Sequence, residues 1–365
     1  MFFLTNFLKL ITYPIIAWLS YCLVKNDYQR YEYSLKYRGR PVGKLMFRHS
    51  TLISLLIALH CLTYGRYMYG DIGVYNIRFG AGLGWEASPG LDFVFTLLHK
   101  FTNDIDWLVF VIVFASVFVT LQAYKLSKDS RPSTILMMFF TLYFVSYCLG
   151  AMKQAPAAAF CYLAVVSLIE RKWIMSVLSF LIAIQFHESA YIILALPLLM
   201  IKPKNLLLNV LRFIAVFAAV IVFPYVFSFL FSALEGYSIQ DELLNYSTSD
   251  GMLQSDSTIM VVFKGAPYYY LTIKGFFYKN RTQISNEHYD IYLWITAISS
   301  ALFFASIFSY WMQRMAAIFF LPVAIFFSMH TDSDNTGKNE IDRFVVLAMF
   351  FIVLMNFLLK WYPLF

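Results

Sequence analysis

The chain has 365 residues, 60% of them hydrophobic and 13% charged, with 28 Lys and Arg against 21 Asp and Glu for a formal net charge of +7. A soluble domain carries about 25% charged residues, so this composition excludes an ordinary water-soluble enzyme and points to a chain embedded in a membrane from end to end. The cationic excess lies in loops between apolar runs and does not argue for nucleic acid. Cys22, Cys61, Cys148 and Cys161 lie in apolar runs without metal-ligand spacing, and no zinc, phosphate-loop or dinucleotide motif occurs, so no metal and no cofactor is expected.

An apolar core of about 30 Å needs roughly 20 apolar residues per helix, and such segments recur along the whole chain. The expected fold is an all-α, polytopic membrane helix bundle of about 11–12 membrane segments, forming a single integral membrane domain over 1–365. The first run, Met1 to Val24, contains Pro14 and lacks a basic start and a cleavage site, so it reads as a retained span. Lys25, Arg30, Lys36, Arg38, Arg40, Lys44 and Arg48 follow it, which makes that loop cytoplasmic and the N-terminus external. A second span at about 47–64 leads out to a Gly-rich, aromatic external loop at 65–106. The third returns to Lys125, Lys128 and Arg131, the fourth runs out from Pro132 to Gly150, and the fifth comes back to Arg171 and Lys172.

The stretch FLIAIQFHESAYIILALPLLM then places His187 and Glu188 inside an apolar run with basic residues on both flanks, Arg171 and Lys172 before it and Lys202 and Lys204 after. A single helix over 173–201 would run about 44 Å, longer than the hydrocarbon core, whereas two arms would each reach about 21 Å. The spacing predicts a broken or re-entrant helical hairpin at 173–201 with His187 and Glu188 at its tip. Non-helical backbone at that depth is tolerated where it lines a cavity or is buried in protein, and intramembrane ionisable residues mark function. Beyond it, Leu206 to Phe231 leads out to an acidic external loop at 233–257. Thr258 to Tyr278 reads as an imperfect inward span, Tyr289 to Phe308 goes out, Met315 to Met329 comes in and Ile341 to Leu359 goes out.

Four pieces carry a family resemblance. GRYMYGDIGVYNIRF, with Arg66, Asp71 and Tyr75, resembles the element after the second span of EpsG/Wzy-type bacterial polysaccharide polymerases. GAMKQAPAAAFCYLAVVSLIERKW, with Lys153 and Gln154, is similar to the helix that in that family ends at a basic pair. FHESA resembles its histidine element, and WMQRMAAIFFLP, with Arg314, its late helix. Lys153 stands where the family usually has Arg, and Glu86 matches the family's loop acid only loosely.

The resemblance implies a membrane glycosyltransferase, multi-pass in the bacterial cytoplasmic (inner) membrane. Its partners would be an undecaprenyl-pyrophosphate-linked oligosaccharide, membrane lipid and a chain-length regulator protein. It would move a growing glycan from the lipid pyrophosphate to the next lipid-linked repeat unit at the outer face. A leaving pyrophosphate needs positioned cations, and Arg66, Arg78, Lys153 and Arg314 are available. The acceptor hydroxyl needs a base, for which Asp71, Glu86, His187 and Glu188 are candidates. Tyr75, Gln154 and Tyr246 are expected among the groups that hold sugar or phosphate. A flippase for the same lipid-linked oligosaccharide, or a membrane O-acyltransferase with an intramembrane histidine, would share broken helices and buried charges.

Overall fold

A computed structural model describes residues 14–27, 43–62, 71–84, 88–140, 152–200, 258–282, 287–307 and 310–331, with Thr12 and parts of 207–218. Regular structure is helical throughout, with no strand among the described residues. Residues 14–27 form α1. There follow α2 (Gly43–Cys61), α3 (Asp71–Gly80), α4 (Pro89–His99), α5 (Ile105–Leu126), α6 (Pro132–Phe140), α7 (Gln154–Ile169) and α8 (Trp173–Phe186). A 3-10 arm (Glu188–Met200) precedes α9 (Thr258–Thr282), α10 (Glu287–Ala305), α11 (Tyr310–Ile318) and α12 (Phe320–Thr331). The acidic loop at 233–257, the span expected at Ile341 to Leu359, and Arg66, Glu86 and Tyr246 lie outside the described residues, as does most of Leu206 to Phe231.

Of the described helices, α5 alone is long and apolar enough by itself to cross a membrane. The pair Met312–Ile318 and Phe320–Met329 passes the same test together, bent by 52°. The apolar segment expected at Met315 to Met329 is therefore bent. Pro322 has no N–H to offer the Ile318 carbonyl, so one backbone hydrogen bond is missing here and the helix bends. The chain turns at Phe319, whose N–H reaches the Ala316 carbonyl at 3.1 Å, and the Phe319 carbonyl receives Val323 N–H at 3.0 Å.

The centre of the bundle is α7. Its residues are buried from Gln154 to Ile169 except Phe160, and it packs against α5, α8, the 3-10 arm, α11 and α12. The run Ala155, Ala157, Ala158 and Ala159 lets neighbouring backbones approach closely, which is how helices associate when burial from water is not the driving force. After α7 the chain reverses on a Schellman turn: Lys172 N–H reaches the Ser167 carbonyl at 2.7 Å, Arg171 N–H reaches Leu168 at 3.0 Å, and Arg171 adopts φ 59°. The Ser176 hydroxyl then donates to the Ala164 carbonyl at 2.9 Å and ties α8 to α7.

The hairpin breaks at the expected residue. α8 ends at Phe186, His187 is extended (φ −160°, ψ 132°), and the chain folds back, because the Phe180 and Tyr191 rings meet edge to face with centroids 6.3 Å apart. In an unbroken α-helix those residues would be about 16 Å apart along the axis. The second arm differs from the α-helical one assumed above. It is a 3-10 helix, narrower and about 26 Å long at about 2 Å per residue. Pro197 removes one donor from it.

The segment 65–106, expected as a loop, contains α3 and α4 and folds onto the hairpin. Tyr75 and Phe79 of α3 pack edge to face on Phe95 of α4. The Ser88 hydroxyl donates to the Phe186 carbonyl at 2.8 Å, with the Gln185 carbonyl at 3.2 Å. Both carbonyls belong to the last turn of α8, which has no intrahelical donors for them.

At Gly90 the two helices meet so closely that a Cβ would lie 3.0 Å from the Gln185 carbonyl oxygen, whereas a Cβ at Gly80 would meet nothing within 4 Å. Gly90→Val should therefore lower the thermal unfolding midpoint of the detergent-solubilised protein, at a cost of about 1–3 kcal/mol from overpacking. Gly80→Ala should stay within about 1 kcal/mol of the parent, on the stabilising side. Equal midpoints for the two variants would show that α4 does not seat on α8 at Gly90.

Candidate functional site

Three separate parts of the chain meet at the tip of the hairpin. α7 starts there with Lys153 at its N-cap and Gln154 as its first residue, and their exposures are 8% and 3%. The break between α8 and the 3-10 arm contributes His187, exposed by 4%, together with Glu188 and Ser189. α11 packs on both α7 and the 3-10 arm and carries the half-buried Arg314.

The contacts are specific. The Gln154 amide nitrogen, as placed, lies 3.1 Å from His187 Nε2. On the other side of the ring, Ser189 N–H donates to Nδ1 at 3.1 Å and the Ser189 hydroxyl lies 2.8 Å from the same nitrogen. Local sequence explains the arrangement: the first N–H groups of a helix have no partner within it, and at the start of the 3-10 arm the His187 ring accepts the Ser189 N–H while the His187 carbonyl accepts Ala190 N–H at 3.1 Å. Lys153, Gln154 and His187, with Arg314 on an adjoining helix, are the kinds of group that hold an anion with several oxygens.

Of the other described candidates, Asp71, Tyr75 and Arg78 belong to α3 and Glu188 to the tip itself. Asp71 is the first residue of α3, which packs on α5. Tyr75 is wholly buried with its ring on Phe95, in the packing between α3 and α4. Arg78 Nε donates to the Gly84 carbonyl at 3.1 Å, closing the turn after α3. Glu188 is half-buried beside His187. The sequence reasoning missed Ser88 and Ser189. A serine just before a helix start is a capping signal and marks Ser88, although in the fold its hydroxyl serves the end of α8 and not its own helix.

A second cluster of ligand-type side chains lies at the opposite end of α7, where donor atoms of Asp129, Glu170 and His288 all fall within 4.8 Å of one another. Each is already engaged. His288 Nδ1 is 2.7 Å from Asp129 Oδ2, and Glu170 accepts from the Lys128 N–H at 2.9 Å and from its ammonium at 3.1 Å. These contacts clasp the loop after α5, the end of α7 and the start of α10.

The EpsG family model matches residues 15–364, so it takes in the start of α7, the hairpin and α11 together. Comparison with curated proteins and with solved structures finds no match. The match covers nearly the whole chain, including every residue that meets at the hairpin tip, and the protein belongs to the EpsG family, a Wzy-type polysaccharide polymerase family of integral membrane proteins.

Proposed function

We propose that the protein is a multi-pass glycosyltransferase of the bacterial cytoplasmic membrane that lengthens a polysaccharide at the outer face. The donor is a growing glycan on undecaprenyl pyrophosphate and the acceptor is the next lipid-linked repeat unit. An acceptor hydroxyl oxygen attacks the anomeric carbon of the donor, the bond from that carbon to the pyrophosphate oxygen breaks, and the pyrophosphate leaves with the electron pair on its lipid. The hydroxyl proton passes to a base. The observation that carries this reading is the meeting, at the break of an apolar hairpin, of His187 with Gln154 at the start of α7 beside Lys153, with the helix that carries Arg314 packed on both α7 and the 3-10 arm. Developing negative charge on a leaving pyrophosphate is stabilised most by donors already fixed in a site that excludes water.

In this reading Lys153, Gln154 and Arg314 hold the pyrophosphate, with Arg66 completing the cation set. Arg78 and Tyr246 contribute to substrate binding from the external segments and Glu188 from the hairpin tip, whereas Tyr75, its ring enclosed against Phe95, serves the packing of α3 on α4. Asp71 takes the proton, with Glu86 as a second acid of the same loop, and His187 serves by proton transfer or by hydrogen bonding.

The membrane setting and the external position of the tip rest on two features. α8 turns Ile174, Val177, Leu178 and Leu181 outward and keeps Ser176, Ser179 and Ala183 inside, a pattern costly in water and natural in lipid. The two ends of α8 also lie apart: its start follows Glu170, which holds Lys128, and its end meets Ser88. The basic end faces the cytoplasm by charge, so the His187 end faces outward.

Two measurements test this. Purified protein in liposomes, given lipid-linked repeat units, should yield a ladder of lengthened glycans. Translocation or acyl transfer without lengthening refutes the reading in favour of a flippase or an O-acyltransferase. In that assay Asp71→Asn should lose at least about 100-fold, the usual contribution of a general base. Arg314→Lys, which replaces a two-pronged donor by a point charge, should lose roughly 10-fold or more, while Lys153→Arg stays close to the parent.

Sidedness is the second test. Single cysteines at Lys172 and Lys202 should be labelled from the cytoplasmic side and one at Asn103 from the outside. Labelling of 172 and 202 from opposite sides would exclude a re-entrant hairpin.

A further inference from the structure

The contacts of the His187 ring determine where its proton sits. A backbone N–H can only donate, so the Ser189 N–H at 3.1 Å leaves Nδ1 with its lone pair directed at Ser189 and no hydrogen of its own. The Ser189 hydroxyl, 2.8 Å away, points its hydrogen at the same lone pair or away from it. A neutral imidazole has one N–H, and with Nδ1 bare that hydrogen is on Nε2.

Nε2 faces the Gln154 amide at 3.1 Å. An Nε2–H and an amide NH₂ are both donors and cannot bond to each other. The two ends of a primary amide are interchangeable by a half-turn that leaves its shape unchanged, so the Gln154 carbonyl oxygen meets Nε2–H and the NH₂ is turned away from the ring. Gln154 is at the start of α7, beside Lys153, and α11, which carries Arg314, packs on both α7 and the 3-10 arm.

We infer that His187 is a positioning residue, held by Ser189 with its proton on Nε2, which orients Gln154 so that the amide NH₂ donates to an oxygen of the carrier pyrophosphate beside Lys153 and Arg314. The choice of pyrophosphate as ligand rests on the polymerase reading; the hydrogen-bond order rests on the ring contacts alone. With both ring nitrogens engaged, the acceptor proton goes to a carboxylate, and His187 is not the base.

Nitrogen-15 NMR of the protein carrying labelled histidine reads the ring directly, with the His187 signals identified by their loss in His187→Asn. The expected result is an unprotonated Nδ1 and a protonated Nε2. A proton on Nδ1 overturns the inference. The donor role of Gln154 is read separately, by native mass spectrometry of undecaprenyl pyrophosphate retained on the solubilised protein. Gln154→Glu still accepts from Nε2–H but presents negative charge where a donor belongs, so retention should fall roughly 10- to 100-fold, the worth of a hydrogen bond to a charged group. Helix content by circular dichroism should be unchanged. Undiminished retention in Gln154→Glu overturns the assignment of the amide as donor. If the parent protein retains the pyrophosphate lipid but builds no glycan ladder, the polymerase reading fails and the hydrogen-bond order stands.

Discussion

A helix that stops inside an apolar layer leaves backbone groups with no water to bond, each at a cost of several kcal/mol. The arrangement around His187 is a solution to that constraint. Ser88 covers the last carbonyls of α8, the His187 ring takes the Ser189 N–H, and the His187 carbonyl takes the Ala190 N–H. Gln154 then fixes the ring from the side of α7. Backbone satisfaction therefore draws four parts of the chain together: the start of α4, the end of α8, the start of the 3-10 arm and the start of α7. A candidate site assembled from the same atoms inherits their rigidity, because a group that moves leaves another unbonded.

The same constraint accounts for the small residues around it. Gly90 sits on the Gln185 carbonyl and the alanines of α7 face their neighbours without long side chains. Both allow backbones to close on the tip. The cations arrive on rigid elements: Lys153 caps α7 and Arg314 belongs to α11, which the turn at Phe319 sets at an angle to α12. Pro322, far from the tip in sequence terms, thus helps to aim Arg314.

The break at His187 was legible because charge pattern and length combine: basic flanks on both sides of an apolar stretch too long for one span. The helices α5 and α7 were legible from apolar length and basic ends. Other features were not. Periodicity does not separate a 3-10 arm from an α-helical one when nearly every residue from Tyr191 to Met200 is apolar. The packing of α3 and α4 onto the hairpin depends on Ser88 and Gly90, two small residues whose partners lie about a hundred positions away. Lys153 and Arg314 stood out in family-like strings as cations for a pyrophosphate, yet Ser189, which fixes the ring, gave no signal beyond being a serine after a break. Tyr75 shows the converse. Its place in a sugar-like aromatic loop suggested exposure, and its ring is instead wholly enclosed against Phe95.

The depth of the tip bears on the chemistry. From Trp173 to Phe186, α8 rises about 21 Å, less than the roughly 30 Å of a hydrocarbon core. In the proposed topology the chain enters from the basic side and reaches His187 before it regains water, and α4 meets that end of α8 through Ser88. A pyrophosphate that met Lys153, Gln154 and Arg314 would do so below the level of the lipid headgroups, where its charges lose hydration and fixed cations act through a low dielectric. The large apolar face that α8 turns outward gives a lipid tail a surface to follow down to that depth. In the proposed reading, depth strengthens what Lys153, Gln154 and Arg314 offer a leaving group, because fixed donors stabilise developing charge most where water is excluded.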